Sequence, residues 1–417
     1  MSILLSAPFI VFLLSIALLP NLVPEWWERN YYYISFVLSA GIIAFYLFDD
    51  RFSSVLTSFE DYIMFISLIL SIFVITGGIV IDIKGLATPY RNVILLFTGI
   101  IISNIVGTTG ASMLLIRPFI RTNRMRISPY HIIFFIILVS NIGGLLTPVG
   151  SPPLFIGYLK GIPFFWVTTR LFLPWILAVT MLLSIFYYID RKNFKKQGEK
   201  TEKKEIEARE KIKIKGFFNI FLLFVVVISV FITTPIFLRE IIMLAAAILS
   251  YKSTSKEIYS RNNFDFGPMK EIAVLFFGIF ITLIPVLELL STGGGKLINA
   301  SPSLFYWMSG ILSAFLDNAP TYLTFLSSSM GLFDFSVNNP SHVSAFLVLH
   351  PDFVIAISIA SVMFGSMTYI GNAPNFIVKS IAEHQGVKTK SFFGYILKYS
   401  LPILFPIFIL IWLLFVL

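Results

Sequence analysis

Long apolar runs fill most of the chain, and their length, more than any two-residue alternation, is the dominant pattern. A membrane-crossing helix needs about 20 apolar residues, whereas a barrel strand shows short alternation, so the pattern predicts helices in a bilayer. Before a basic segment at 190–215 the uninterrupted spans are Ile3–Leu19, Tyr31–Phe48, Ile63–Ile81 and Leu171–Ile189. After it they are Gly216–Thr233, Ile236–Tyr251, Glu271–Leu290 and Tyr395–Leu417. Each half also holds two apolar segments that are interrupted.

Asn92–Ile120 is cut by a Ser, Asn, Gly and Thr run from Ser103 to Ser112, and Ser301–Met330 is cut at Leu316 to Thr321. Lys84 and Arg91 precede the first of these, and Arg117, Arg121, Arg124 and Arg126 close it. Both its ends therefore read as cytoplasmic, which predicts a re-entrant hairpin. His131–Trp166 is broken at Thr147 to Pro153, and Phe353–Ala382 at Tyr369 to Asn375. Proline and glycine do not continue a helix interior, so both are expected as discontinuous spans.

The halves match at these breaks. At an offset of 210, Ser103 falls on Ser313 and Thr108 on Asn318; at 221, Ser140 meets Ser361, Gly144 meets Gly365, Thr147 meets Thr368, Gly150 meets Gly371 and Pro153 meets Pro374. Identities gathered at interruptions indicate an internal repeat. Five spans per half is an odd number, so the copies should be inverted, and Asp317–Asp352 indeed carries no Lys or Arg where the first hairpin is followed by arginines. The expected fold is an all-α polytopic membrane protein of two inverted repeats. Each repeat has five transmembrane helices, one broken, plus a re-entrant hairpin, giving ten spans with both termini outside. The expected divisions are 1–189 for the first repeat, 190–215 for a cytoplasmic linker and 216–417 for the second repeat.

Composition agrees: 57% of the 417 residues are hydrophobic and 13% charged, against about 25% charged in a soluble domain. Mean hydropathy is +0.87. No cysteine is present, which removes disulfides, thiolate metal sites and thiol nucleophiles. There is no HExxH and no phosphate-binding glycine loop, so neither zinc hydrolysis nor ATP-driven pumping is indicated. The net charge of +9 is concentrated in 190–215, with eleven Lys or Arg and six acids, a solvated connector without a nucleic-acid role. The N-terminal run lacks the basic start of a cleavable signal and is taken as the first span. The expected location is the inner or plasma membrane, multi-pass. The expected partners are the lipid bilayer and a small ion or carboxylate substrate, a homodimer being left open. An acid pair of Asp317 with Asp352 would be needed for intramembrane catalysis; Asp352 falls at the outer edge, and an enzyme is not expected.

Polar groups and broken backbone persist in a membrane only where protein or a water-filled cavity lines them. The candidate substrate- or ion-binding residues are therefore Ser103, Asn104, Thr108, Thr109, Thr147 and Ser151 in the first half, and Asp317, Asn318, Thr321, Thr368, Asn372 and Asn375 in the second. Half-helix starts aim N–H groups inward and half-helix ends aim carbonyls. Hydroxyl and amide oxygens suit Na⁺, and amide donors suit a carboxylate. Asp317 is the charged group at a tip and, with Asn318 and Asn104, the expected Na⁺ site. The alternative role for Asp317, Asn318, Asn372 and Asn375 is helix capping. Glu288, Asp82, Glu60 and Asp61 lie at span ends, where snorkelling to water is expected. Thr76 and Thr282 read as helix-packing residues.

With its two tips, Ser103-Asn104 and Asp317-Asn318-Ala319-Pro320, and its two proline-broken spans, nearly the whole chain resembles the ion transporter superfamily. That group includes citrate and dicarboxylate transporters, arsenite permeases of the ArsB type and sodium/proton antiporters of the NhaD type. The dicarboxylate members hold substrate carboxylates and Na⁺ with Ser-Asn-Thr tips; this chain has Ile105 in third place and an Asp-Asn tip in its second half. The resemblance implies a cation-coupled secondary transporter with no cofactor beyond Na⁺ or H⁺ as coupling ion. Sodium/proton antiport through Asp317 is the first expectation, because an ionised acid repels a citrate anion. Na⁺- or H⁺-coupled symport of citrate or a related carboxylate is the second.

Overall fold

The computed structural model describes residues 3–84, 88–196, 211–232, 234–262, 264–291, 300–369 and 371–417. Among them seven helices are long and apolar enough to cross a membrane, or eight if Pro340–Leu349 and Pro351–Met367, bent by 98°, count as one span. Ten were expected. One of the seven, Pro89–Thr122, is the segment expected as a hairpin, and three expected spans are short: Ala7–Leu22 and Leu238–Ser253 have 16 residues each and Phe217–Ser229 has 13. At 1.5 Å per residue these cover about 20–24 Å of a hydrocarbon layer about 30 Å thick.

A second departure is a small sheet in a chain expected to be all helical. Val80–Lys84 pairs antiparallel with Lys211–Lys215, Val80 opposite Lys215 and Lys84 opposite Lys211. Lys-Ile-Lys-Ile-Lys has the period of a strand, but the charge run around it made the whole connector look helical. At the connector's other end the helix Phe164–Lys196 continues well past Asp190. The stretch 197–210 lies outside the described residues.

The first interrupted segment is a 34-residue helix, Pro89–Thr122, with one non-helical residue, Gly107, at φ 76° and ψ 156°. A straight helix of that length would be about 51 Å long. Its ends instead meet: the Asn92 and Asn123 side chains exchange two hydrogen bonds of 2.7 and 2.8 Å. The segment is a hairpin that reverses at Gly107, whose positive φ is open to glycine at no steric cost. The second segment divides into Pro302–Ser313 and Asn318–Gly331. Its arms also fold back, bringing the Phe305 and Phe325 rings to 6.0 Å.

Asp190 fastens the base of the first hairpin. Its fully buried carboxylate accepts from Tyr130 Oη at 2.6 Å, from Asn92 Nδ2 at 2.9 Å and from Arg126 through both oxygens. His131 Nε2 stands 3.1 Å away. Because His131 Nδ1 accepts from the Ser128 N–H, the ring proton is on Nε2, facing the acid. The second hairpin's base is apolar, with His350 stacked 3.6 Å from Phe333 and Phe353 5.7 Å from the same ring.

The two halves are knitted together along the helix Phe52–Gly77. From it, Ser58 Oγ donates to the Phe280 carbonyl at 2.7 Å and Tyr62 Oη to that of Ala273 at 3.1 Å, both in the helix Gly267–Ser291. Glu288, expected to reach water, accepts instead from Tyr46, Arg51 and Ser54, each at 2.9 Å. Asp61 pairs with buried Lys160, which also donates to Asn338 Oδ1 at 2.9 Å. Donors from other elements reach these acids before solvent does. Glu60 is exposed, and Asp82 sits opposite Lys213 in the ribbon. Thr76 and Thr282 bond carbonyls of their own helices at 2.7 Å.

Removing one member of a buried ion pair leaves the other charge uncompensated, at a cost of about 3–5 kcal/mol. Asp190→Asn is accordingly expected to lower the melting temperature of detergent-purified protein sharply. Arg126→Met on that background should recover part of the loss. Thermal melting of the two variants beside the parent decides whether this cluster holds the hairpin.

Candidate functional site

Each discontinuous span is built from the same parts. In the first half the helix Pro129–Leu138 gives way to a 3₁₀ turn, Ile142–Leu146, then to extended Thr147 (φ −135°, ψ 152°), and a new helix starts at Pro152. In the second, Pro351–Phe364 leads to a 3₁₀ turn Gly365–Met367, extended Thr368 (φ −138°, ψ 165°) and a helix from Ala373. The first break opens several residues earlier than expected, at Val139 to Asn141.

The two threonines make the same bonds. Thr147 Oγ1 donates to the Asn104 carbonyl of the first hairpin at 2.5 Å and accepts from the Gly150 N–H at 3.0 Å. Thr368 Oγ1 donates to the Ala314 carbonyl of the second hairpin at 2.5 Å and accepts from the Gly371 N–H at 3.0 Å. Ser103 Oγ lies 2.8 Å from the Val139 carbonyl, and Ser313 Oγ lies 2.6 Å from that of Ser361. Each hairpin tip is thus tied to its break through side chains that meet exposed main-chain groups.

Glycine allows the tips to seat. A Cβ on Gly144 would stand 2.7 Å from Thr108 Cγ2, and one on the matching Gly365 would stand 2.2 Å from Asn318 Oδ1. Thr108 and Asn318 each begin the second arm of a hairpin, and each is buried with one polar atom, Oγ1 or Nδ2, lacking a partner. Asn318 Oδ1 accepts from Ser313 Oγ at 2.7 Å. Ser151 is likewise buried, with its hydroxyl unpartnered.

Thr108 and Ser151 border one cavity of about 30 Å³, together with Thr109, the Gly107 reversal, Pro148 to Pro152 and an apolar wall of Phe65, Leu68, Ile69 and Ile72. A buried water needs roughly 10–15 Å³ of such space. The cavity therefore has room for one or two water-sized species. Two hydroxyl oxygens that could serve as neutral ligands are gathered there.

Other expected site residues are already engaged. Asn104 donates to the Ile100 and Gly143 carbonyls at 3.0 and 2.6 Å and accepts from the Leu146 N–H at 2.9 Å. Asn375 donates to the Gly365 and Thr368 carbonyls at 2.8 and 3.0 Å and accepts from Asn141 Nδ2 at 2.7 Å. Asn372 makes no capping bond; its amide donates across to the Ser140 carbonyl and Asn141 Oδ1 at 3.1 and 3.0 Å. Thr321 Oγ1 bonds the Asp317 carbonyl at 2.9 Å. Asp317 caps the second arm, one carboxylate oxygen accepting from the Ala319 N–H at 3.1 Å.

Asn141 is the residue the sequence reading missed, and it carries the junction between the two breaks. Its signal was available: Ser140-Asn141-Ile142 repeats the Ser103-Asn104-Ile105 of the hairpin. Ser112, whose hydroxyl lies 2.7 Å from that of Ser140, ties the second arm to the same point.

Gly365→Ala would overpack the Asn318 amide, and such insertions cost about 1–3 kcal/mol. A drop in melting temperature is expected. Gly41→Ala is the control, since a Cβ there meets nothing within 4 Å and helical Gly→Ala is neutral to stabilising. Equal melting of the two variants would remove the close seating of the second tip.

None of the curated proteins matches the chain. A family model described as "Putative citrate transport" matches residues 1–416, and the apolar helices and protein-lined breaks are those of a multi-pass membrane transporter. The chain belongs to that citrate transport family.

Proposed function

We propose that the protein is a symporter that moves citrate or a related polycarboxylate with Na⁺ or H⁺ across a cell membrane. The cavity beside Gly107 carries this reading. Two residues with buried, unpartnered hydroxyls line a space that fits a small ion. The coupling cation is placed there, against Thr108 and Ser151. The anion is assigned to the half-helix starts at Asn318 and Ala373, each of which offers N–H groups and a positive dipole end. The Asn318 amide, with Nδ2 free, is a donor suited to a carboxylate. Family membership moves citrate ahead of the antiport that the sequence placed first.

In this reading the matched hydrogen bonds of the two breaks are those of two inverted repeats, 1–189 and 216–417, joined by the linker 190–215. The hairpins are re-entrant from opposite faces. A cysteine at Ser128 is expected to be labelled from the cytoplasm alone and one at Asn338 from outside alone. Labelling of both from one side would end the inverted arrangement.

Sodium/proton exchange is the second reading, and Asp317 is the observation that favours it. Its carboxylate receives one main-chain N–H and forms no ion pair among the described residues, so it is open to a proton or a cation. The two readings separate in proteoliposomes supplied with labelled citrate or with Na⁺ under an imposed pH gradient. Symport predicts citrate uptake by the parent and, in Asp317→Asn, a citrate rate within about tenfold of it, since the replacement keeps the capping oxygen. Exchange predicts Na⁺ movement without citrate and its abolition in Asp317→Asn.

A further inference from the structure

Lys160 stands just past the end of the helix Pro152–Leu159, and its side chain is 7% exposed although it carries a charge. Its ammonium donates to Asp61 Oδ2 and, at 2.9 Å, to Asn338 Oδ1. Three separate elements meet there: the helix Phe52–Gly77, the second part of the first broken span, and the loop that follows the second hairpin. A carboxylate oxygen and an amide carbonyl oxygen are hard donors that also bind alkali cations. The lysine therefore fills, with a tethered cation, a place whose chemistry suits a free one.

The position of this cluster relative to the cavity gives it a role. Phe65, Leu68 and Ile72 line the cavity from Phe52–Gly77, and Asp61 shares their helix face at separations of four, seven and eleven residues. It lies about 6 Å along the helix beyond Phe65. On the facing wall Pro152 and Phe155 line the cavity, and Lys160 follows Phe155 by five residues, about 7.5 Å at helical rise. The two walls thus meet at the ion pair about one turn beyond the cavity. Past the pair comes solvent: Asn338 is exposed and the Asp61 side chain is 17% exposed, whereas Phe65 is fully buried. A cation moving from this side toward Thr108 and Ser151 passes the two oxygens that Lys160 holds.

We propose that Asp61 and Asn338 form an entry site for the coupling cation, a monovalent ion, and that Lys160 is its tethered competitor. This rests on the placement of the cation in the cavity beside Gly107. The entry site and the cavity are used in succession. The ion displaces the ammonium, is held by the carboxylate, and steps on to the neutral hydroxyls; the lysine then returns to Asp61 behind it. Asp61 is neutralised at each stage by the lysine or by the ion, so a bare carboxylate against the apolar wall is avoided.

The chain has no cysteine, so Leu68→Cys places a single thiol on the cavity wall. In detergent-purified protein Ag⁺, a thiol-reactive monovalent cation, reports arrival there, read as loss of later maleimide labelling after denaturation. Lys160→Met on this background leaves the carboxylate to attract cations, and the Ag⁺ rate is expected to rise about tenfold or more. Asp61→Asn breaks the same contact but leaves the positive charge, and its rate is expected to stay at or below that of Leu68→Cys alone. Na⁺ should slow the reaction in the Lys160→Met protein, and choline should not. Equal acceleration in the two variants would mean loosened packing, and no acceleration in Lys160→Met would remove the entry site; either overturns the proposal. Should Lys160→Met fail to fold, Lys160→Arg keeps the pair and grips both oxygens with a planar fork. A severalfold slower Ag⁺ reaction is then expected, and an unchanged rate counts against the proposal. No citrate enters these measurements. A parent that moves no citrate therefore ends the symport reading alone, while the Ag⁺ rates decide the entry site.

Discussion

A bilayer offers no hydrogen bond to the main chain of a broken helix, and every carbonyl and N–H freed at a break must find its partner inside the protein. Thr147 and Thr368 meet that constraint in the same way, each bridging a hairpin carbonyl to the N–H of a glycine three residues on. A single hydroxyl both donates and accepts, so one side chain satisfies two main-chain groups from two elements. The consequence is mutual dependence: a hairpin tip has no place to end without its break, and the break has no stable form without the tip. Gly144 and Gly365 extend the dependence to packing, since nothing larger leaves room for Thr108 and Asn318.

On this shared pattern of hydrogen bonds the two halves differ at their tips and bases. The first hairpin turns at a glycine, whereas the matching residue of the second is Asp317. The base of the first is held by a buried acid and its donors, and that of the second by stacked rings. The junction of the two breaks is not symmetric either, because Asn141 serves Asn372 and Asn375 while the residue matching it, Val362, has no polar group to offer.

The breaks themselves were plain in the sequence, since proline and glycine inside apolar runs leave few other structures. The second hairpin, expected at Ser301–Met330, is found within one residue of those limits at Pro302–Gly331. Thr147 and Thr368 could be paired by offset alone. Asp190 could not be interpreted in this way, because its donors lie 60 to 98 residues away and its own neighbours are a charge run. Glu288 and Asp61 were misread for the same reason: a span-end acid looks solvated until a tyrosine or lysine from another element is brought to it. Helix length was not legible either, because hydropathy marks apolar content, and three of the helices expected as spans are shorter than 18 residues.

The covalent halves of the chain do not coincide with its mechanical parts. Phe52–Gly77 from the first half is bonded to Gly267–Ser291 from the second, and the strand Val80–Lys84 pairs with the linker strand Lys211–Lys215 that leads into the second half. The hairpins and breaks, meanwhile, are bonded to one another across the halves through Asn141, Asn372 and Asn375. The cavity lies between elements of each group, walled on one side by Phe65, Leu68, Ile69 and Ile72 and on the other by Val106 to Thr109, and the Asp61–Lys160 pair joins the two groups elsewhere. The wall contributed by the helix is smooth hydrocarbon that offers no polar grip. Displacement of that helix would reshape the cavity while leaving every hydrogen bond that builds the two tips intact.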